Sequence, residues 1–325
     1  EIPNSKNESI SGISTIRFTL QDTLKDIILD FEPASKRLDS VALNGESVKT
    51  RIRNGHIIVT NNNQTFSKGQ YKLTVVYRAG DAPLNRNEEY LYTLFVPGRA
   101  SRALPFFDQP NLKARFNLSL TIPKEWKAVS NSPADTLFTR DQRRRYIFKQ
   151  TVPLPTYLFS FAAGKFQVES ARRDGRTLRF FHRETDSAKV ARNREQIFDL
   201  HAQSLRWLSD YTGIDYPFEK FDFVLIPAFQ YGGMEHPGAI LYRSSRIFLD
   251  KSATQQEKLE QASLIAHETA HMWFGDLVTM EWFNDVWTKE VFANFMAAKI
   301  VHPSFPDINH DQRFILDHFP PAYRV

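Results

Sequence analysis

The chain has 325 residues, 42 lysines and arginines against 37 aspartates and glutamates, and no cysteine. That length exceeds one simple core and predicts two domains, while the missing cysteines exclude disulfides, a thiolate nucleophile and a cysteine-bound metal. The formal charge of +5 is modest, and the basic runs at 140–145 and 172–176 are broken by polar residues, so they read as solvated loops and no nucleic-acid partner is expected.

Up to about residue 168 the pattern is β. Residues 15–20, 26–31, 56–60 and 71–77 carry β-branched or aromatic side chains, punctuated by Asn44-Gly45, Asn54-Gly55 and Ala79-Gly80-Asp81. Further strands are predicted at 114–122, 144–150 and 158–163. Many short strands with alternating faces predict a sandwich or an open curved sheet over residues 1–168. The texture changes near residue 166, and residues 169–325 are read as a second domain. Residues 188–211 have helical spacing, with Ala191, Ile197, Leu200, Leu205 and Leu208 forming an apolar stripe. Sheet segments are expected at 221–226 and at 239–241 with 246–249, around the glycine-rich stretch from Tyr231 to Gly238. Two more helices are predicted, 254–274 and 287–300. Beyond Val301 the chain is polar and proline-rich and reaches Val325 without closing another core, which suggests a fragment of a longer protein. No apolar stretch approaches the roughly 18 residues a membrane span needs.

The densest chemistry lies on the helix at 254–274. His267-Glu268-Thr269-Ala270-His271 is followed, after 18 residues, by Glu290 on the next helix. Two imidazoles four apart share a helix face and stand about 6 Å apart along its axis, close enough to grip one ion. Glu268 beside them can take a proton from a water that the metal activates. Leu264, Ile265, Ala266, Met272, Trp273 and Phe274 make the helix largely apolar, and buried polar side chains need partners, which a metal supplies. A carboxylate from a second helix completes the three-ligand set of catalytic zinc. Glu290 is the expected third ligand; Glu281, 10 residues after His271 in the turn before the last helix, is its rival.

These residues resemble the M1 family of zinc metallopeptidases, the aminopeptidase N-like gluzincins. The resemblance runs over essentially the whole sequence. It includes the stretch from His267 to Gly275, Leu277-Val278-Thr279, Lys289-Glu290, and Tyr231-Gly-Gly-Met-Glu-His-Pro-Gly238, which is similar to the family's exopeptidase motif. The segments 105–116 and 157–164 resemble signatures of its first domain. The resemblance implies an N-terminal all-β, saddle-like sandwich followed by a thermolysin-like α+β zinc peptidase domain, truncated at its C-terminal side. It also implies one Zn2+ per chain held by His267, His271 and Glu290, with Glu268 as general base, and removal of single residues from peptide N-termini. Glu235 would bind the substrate's α-ammonium. Backbone groups of Gly232, Gly233 and Met234, with His236 adjoining, would bind the peptide as an added strand. The family's catalytic tyrosine would lie beyond Val325, since Tyr323 is too close to Glu290 in sequence.

Some positions depart from the family pattern. His236 stands for the usual asparagine, Gly233 for a common alanine and Val291 for a frequent glycine. Leu94 and Val96 occupy positions where a glutamine and a second amine-binding glutamate are often found. The amine anchor would then rest on Glu235 alone, in a more apolar first pocket. Two competing readings keep the fold: another hydrolytic specificity, or a peptide-binding homologue with impaired catalysis. The start at Glu1 in a polar stretch suggests a processed or trimmed chain, and a periplasmic or secreted location is expected, with the cytoplasm as the alternative. Asn7, Asn63 and Asn117 head three-residue glycosylation sequences of low specificity.

Overall fold

The computed structural model describes residues 1–62 and 64–322; Asn63 and Tyr323 lie outside the described residues. Ser11–Leu20 and Gly69–Arg78 pair antiparallel over their full lengths, and Leu38–Leu43 flanks Gly69–Arg78 on its other side. Asp26–Asp30, His56–Thr60 and Thr50–Arg53 form a second sheet. Ile27, Leu29, Ile57, Val59, Leu73 and Val75 point from these two sheets into one core, each contributing about 1.5–3 kcal/mol by leaving water. Asn44-Gly45 and Asn54-Gly55 close two-residue hairpins with positive φ at both positions, the twist that fits tightly paired strands.

Two further sheets complete this β half. One orders Ser119–Pro123, Arg143–Phe148 and Ala134–Arg140; the other orders Lys127–Ser130, Phe161–Gly164, Tyr90–Thr93 and Leu84–Arg86. The strand expected from residue 114 begins only at Ser119. Its facing segment carries Pro153 and Pro155, which donate no hydrogen bond, and Ala114 keeps a single bridge to Leu154. The strand expected from 158 is preceded by a helical turn, Thr156–Leu158, and starts at Phe161.

The second half is built on a five-stranded sheet. Its strands are β1 (Gln167–Arg173), β2 (Arg176–His182), β3 (Phe221–Ile226), β4 (Gly233–Met234) and β5 (Ile240–Arg243), in the order β1-β2-β3-β5-β4. β3 runs parallel to both neighbours, and β4 is an antiparallel edge strand. The hairpin of β1 and β2 accounts for the basic run at 172–176. Arg173 reaches Glu195 at 2.6 Å and Asp199 at 2.7 Å on the helix α1 (Ser187–Thr212). Asp186 caps α1 by accepting from the backbone N–H groups of Ala188 and Lys189.

All six residues of β3 are buried, because its two faces serve different cores. Phe221, Phe223 and Leu225 face the helices. Val224 and Ile226 join Leu241, Tyr92, Leu94, Val129, Tyr157 and Ala162 in a core shared by the two halves. The segment at 246–249 is not a strand: Ser244–Ile247 is one helical turn. Gln261 and Asn193 side chains bond the Ile247 carbonyl and the Leu249 N–H in place of a neighbouring strand.

Three more helices follow: α2 (Gln255–Ala270), α3 (Val286–Val301) and α4 (His310–Ala322). Thr254 and Glu257 form a reciprocal cap at the start of α2, satisfying N–H groups that would otherwise lack partners. α4 stands where a polar tail was expected; Asn309 caps it by accepting from the N–H of Gln312 at 2.9 Å.

Candidate metal centre and peptide cleft

The end of α2 meets the first turn of α3. His267 Nε2 and His271 Nε2 are 3.1 Å apart, and Glu290 Oε2 lies 3.4 Å from the first and 3.5 Å from the second. A tetrahedral ion with bonds of about 2.0–2.1 Å has ligand edges near 3.3–3.4 Å, so the three atoms already stand like three corners of such a site. His271 Nδ1 donates to the Phe274 carbonyl at 3.0 Å, leaving the Nε2 lone pair free for a metal. These residues therefore fit a metal ion. Burial works to raise the Glu290 carboxyl, but the two histidines and Lys289 outweigh it and hold it far below the usual carboxylate range. Glu281 is exposed and takes no part in the cluster.

Glu268 occupies the second helical position of the motif, with a ligand atom within 4.8 Å of one from Glu235 and one from His271. Burial pushes its carboxyl up to about 8; His267 opposes this, while Glu235 and Glu290 add to it. The side chain lies over Gly233, where a Cβ would overlap its carboxylate. This proximity explains why the bare backbone of β4 approaches α2 so closely.

A cavity of about 570 Å³ opens beside the cluster. Val96, Pro97 and Tyr157 wall it from the β half. The stretch from Tyr231 to Glu235 walls it from β4, and Met280 and Phe283 from the approach to α3. Gly233 and Met234 pair with Tyr242 and Leu241 on one side only, so β4 presents a free sheet edge to the cavity. Gly232, Gly233, Met234 and Glu235 thus share one wall with His267, Glu268, His271 and Glu290. His236 does not. It is 0 % exposed, it lies outside the cavity lining, and burial pushes its ring down to about 4. The ring therefore stands behind the cavity wall in this structure. Leu94 is likewise buried in the core between the halves, so only Val96 of that pair faces the cavity.

Lys289 is the site residue whose role the spacing of the sequence did not reveal. Its Nζ donates to Glu235 Oε1 and stands 3.1 Å from Glu290 Oε1. The buried face of α3 runs Lys289, Ala293, Met296 and Ile300. A lysine in step with a helix's apolar face must have a carboxylate partner, and that pattern was the available signal. Burial works to lower Lys289, and Glu235, Tyr157 and Glu290 more than reverse it. Burial likewise works to raise Glu235, yet Lys289 and His271 bring it down to about 2.

The fold and the cluster together define a metallopeptidase-type architecture, a β half packed against helices that bring three candidate metal ligands together. Residues 2–158 match the Peptidase M1 N-terminal domain and residues 197–324 the Peptidase family M1 domain. The chain belongs to peptidase family M1. It is 31% identical to probable aminopeptidase 2 of Sulfurisphaera tokodaii over 81% of this chain and 35% of that protein. It is 33% identical to leucyl aminopeptidase of Saccharolobus solfataricus over 76% of this chain and 30% of the relative. Similarity to glutamyl aminopeptidase of Rattus norvegicus is 34% over 66% and 22%. The chain spans about a third or less of the length of these curated relatives. No helix among the described residues is long and apolar enough to cross a membrane.

Proposed function

We propose that this chain carries the metal and substrate-binding part of a zinc-dependent aminopeptidase. The observation that supports it most is the triangle of His267, His271 and Glu290 atoms at 3.1, 3.4 and 3.5 Å. Zinc bound there supplies Lewis acidity toward a water and toward the scissile carbonyl. His267 and His271 offer neutral nitrogens and Glu290 an anionic oxygen. Glu268 takes the proton of the attacking water and carries it to the departing amine, a role suited to a carboxyl whose proton affinity burial has raised. The free edge of Gly233 and Met234 aligns the peptide backbone. Glu235, at the end of that edge, receives the α-ammonium and so fixes cleavage one residue from the terminus. The names of the relatives support the same reading. A second reading, the same hydrolysis with a different demand on the terminus, is favoured by the Lys289 ammonium already on Glu235.

Two variants test this reading. In His271→Ala the zinc content of the purified protein falls from near one equivalent toward none; retention of the metal would reject the ligand set. In the full-length protein, Glu268→Gln keeps shape, zinc and peptide binding but loses roughly 100- to 10,000-fold in kcat on leucyl and alanyl substrates. A near-normal kcat in that variant would remove Glu268 from the role of base.

A further inference from the structure

The geometry points to Lys289 as the residue that sets how strongly this protein demands a charged peptide N-terminus: its ammonium already pairs with the carboxylate that would take the substrate's. The inference rests on the peptidase reading above and refines its substrate class to peptides with free or acylated N-termini.

Lys289 Nζ contacts Glu235 Oε1, stands 3.1 Å from Glu290 Oε1 and lies 5.5 Å over the ring of Tyr157. Both partners of the pair are buried, Glu235 at 3 % and Lys289 at 8 % exposure. The lysine is built in. Gly275 lies against its stem, and a Cβ there would come within 3.3 Å of Lys289 Cδ. Tyr157 closes the other side and donates to the Gly275 carbonyl at 3.3 Å.

Charge at this end of the cleft decides what it recognises. Glu235 contributes one negative charge, and Lys289, which it shares with Glu290, offsets part of it. Val96, which lines the same cavity from the β half, adds no carboxylate. An α-ammonium arriving here must share an anion that is already paired, so its net gain is small. A neutral acylated terminus leaves no buried anion without a partner, because the lysine stays in place. Specificity is the difference between these two affinities, and the lysine shrinks that difference. Without Lys289, a blocked terminus would strand Glu235 as an unpaired buried charge, which is strongly unfavourable.

The test compares kcat/KM for leucyl and N-acetyl-leucyl peptides of otherwise identical sequence, using the full-length zinc-loaded protein with metal content checked. Affinities for leucine and N-acetylleucine, measured by calorimetry, give a readout independent of turnover. The wild type should prefer the free terminus by less than roughly tenfold. Lys289→Gln should raise that preference by at least about tenfold, whereas Lys289→Arg keeps the charge and the low ratio. If Lys289→Gln does not fold, Val96→Glu adds a carboxylate to the wall without touching the pair, and it should also raise the ratio. Free-to-blocked ratios that stay at the wild-type value in both Lys289→Gln and Val96→Glu, with zinc retained, overturn the assignment and leave the aminopeptidase reading standing. No hydrolysis of either peptide by the zinc-loaded full-length wild type overturns the peptidase reading and this inference with it.

Discussion

Gly233 is where the chemistry of single residues in this cleft is most constrained. It belongs to the edge strand β4, and the space its side chain would fill is taken by the Glu268 carboxylate. Glu268 Cγ as well as its carboxylate lies within 2.6 Å of that position, so a methyl group there displaces the whole buried side chain. Gly233→Ala is therefore expected to fold with a loss of about 1–3 kcal/mol and, on the zinc reading proposed above, to keep the metal. With Glu268 as the base proposed above, kcat of the full-length protein should drop by about 10- to 100-fold, because a shift of about 1 Å in a catalytic group costs about that much. Steady-state kinetics together with metal analysis check it; unchanged kcat would show that Glu268 works from another rotamer. The same proximity gives the glycine a physical reason in this chain, at a position where the family pattern frequently has alanine.

At the scale of elements, α1 is locked to the sheet through a neutral histidine. His201 Nδ1 donates to the Ile197 carbonyl at 2.7 Å, and Tyr242 on β5 donates to Nε2, with the two atoms 3.1 Å apart. The ring also stacks on Phe223 of β3, with centroids 4.1 Å apart. Burial lowers its pKa to about 4, below the roughly 6.5 of an unfolded histidine. The unfolded chain thus takes up the proton first as pH falls. Stability from this contact is complete above about pH 6.5 and is lost progressively toward pH 4, by roughly 3 kcal/mol at about 1.4 kcal/mol per unit. His201→Phe should melt lower at pH 7 yet show a flatter fall in Tm between pH 7 and 4.5. His182 and His236, lowered in the same direction by burial, keep some slope. Equal slopes in the two proteins would rule the contact out. The helix α1 was legible in the sequence because Ala191, Ile197, Leu200, Leu205 and Leu208 recur at helical spacing. Tyr90–Thr93 escaped notice because it is buried on both faces and shows no alternation. The hairpin of β1 and β2 was hidden by its charged ends. The pair His267 and His271 was readable because the two stand four apart on one helix. Lys289 was not, since its partner Glu235 lies 54 residues earlier and only the packing of α3 brings the two together.

Across the whole molecule, the cleft belongs to neither half alone. Val96, Pro97 and Tyr157 wall it from one side, while the metal cluster and β4 come from the other. The core between the halves fixes their relative position with Tyr92, Leu94 and Val129 packed on Val224, Ile226 and Leu241. One buried side chain ties this core directly to the substrate wall. Asn131 donates to the Leu158 carbonyl at 2.9 Å and to the Pro237 carbonyl at 3.0 Å, and it accepts from the Ser160 N–H at 2.8 Å. Pro237 follows Glu235 by two residues, and the next residue, Gly238, passes so close that a Cβ would overlap the Asn131 carbonyl. Asn131→Ala leaves two carbonyls and one N–H without their partner inside the protein. A buried group deprived of its partner costs about 1–3 kcal/mol, and partial relaxation brings the expected total to roughly 2–4 kcal/mol. The loosened segment also carries Glu235, so KM for free-terminus peptides should rise several-fold while kcat holds. Denaturant unfolding and steady-state kinetics on the same preparation separate the two effects. Lost stability with an unchanged KM would mean that the tie between the halves supports the fold alone and leaves the position of Glu235 untouched.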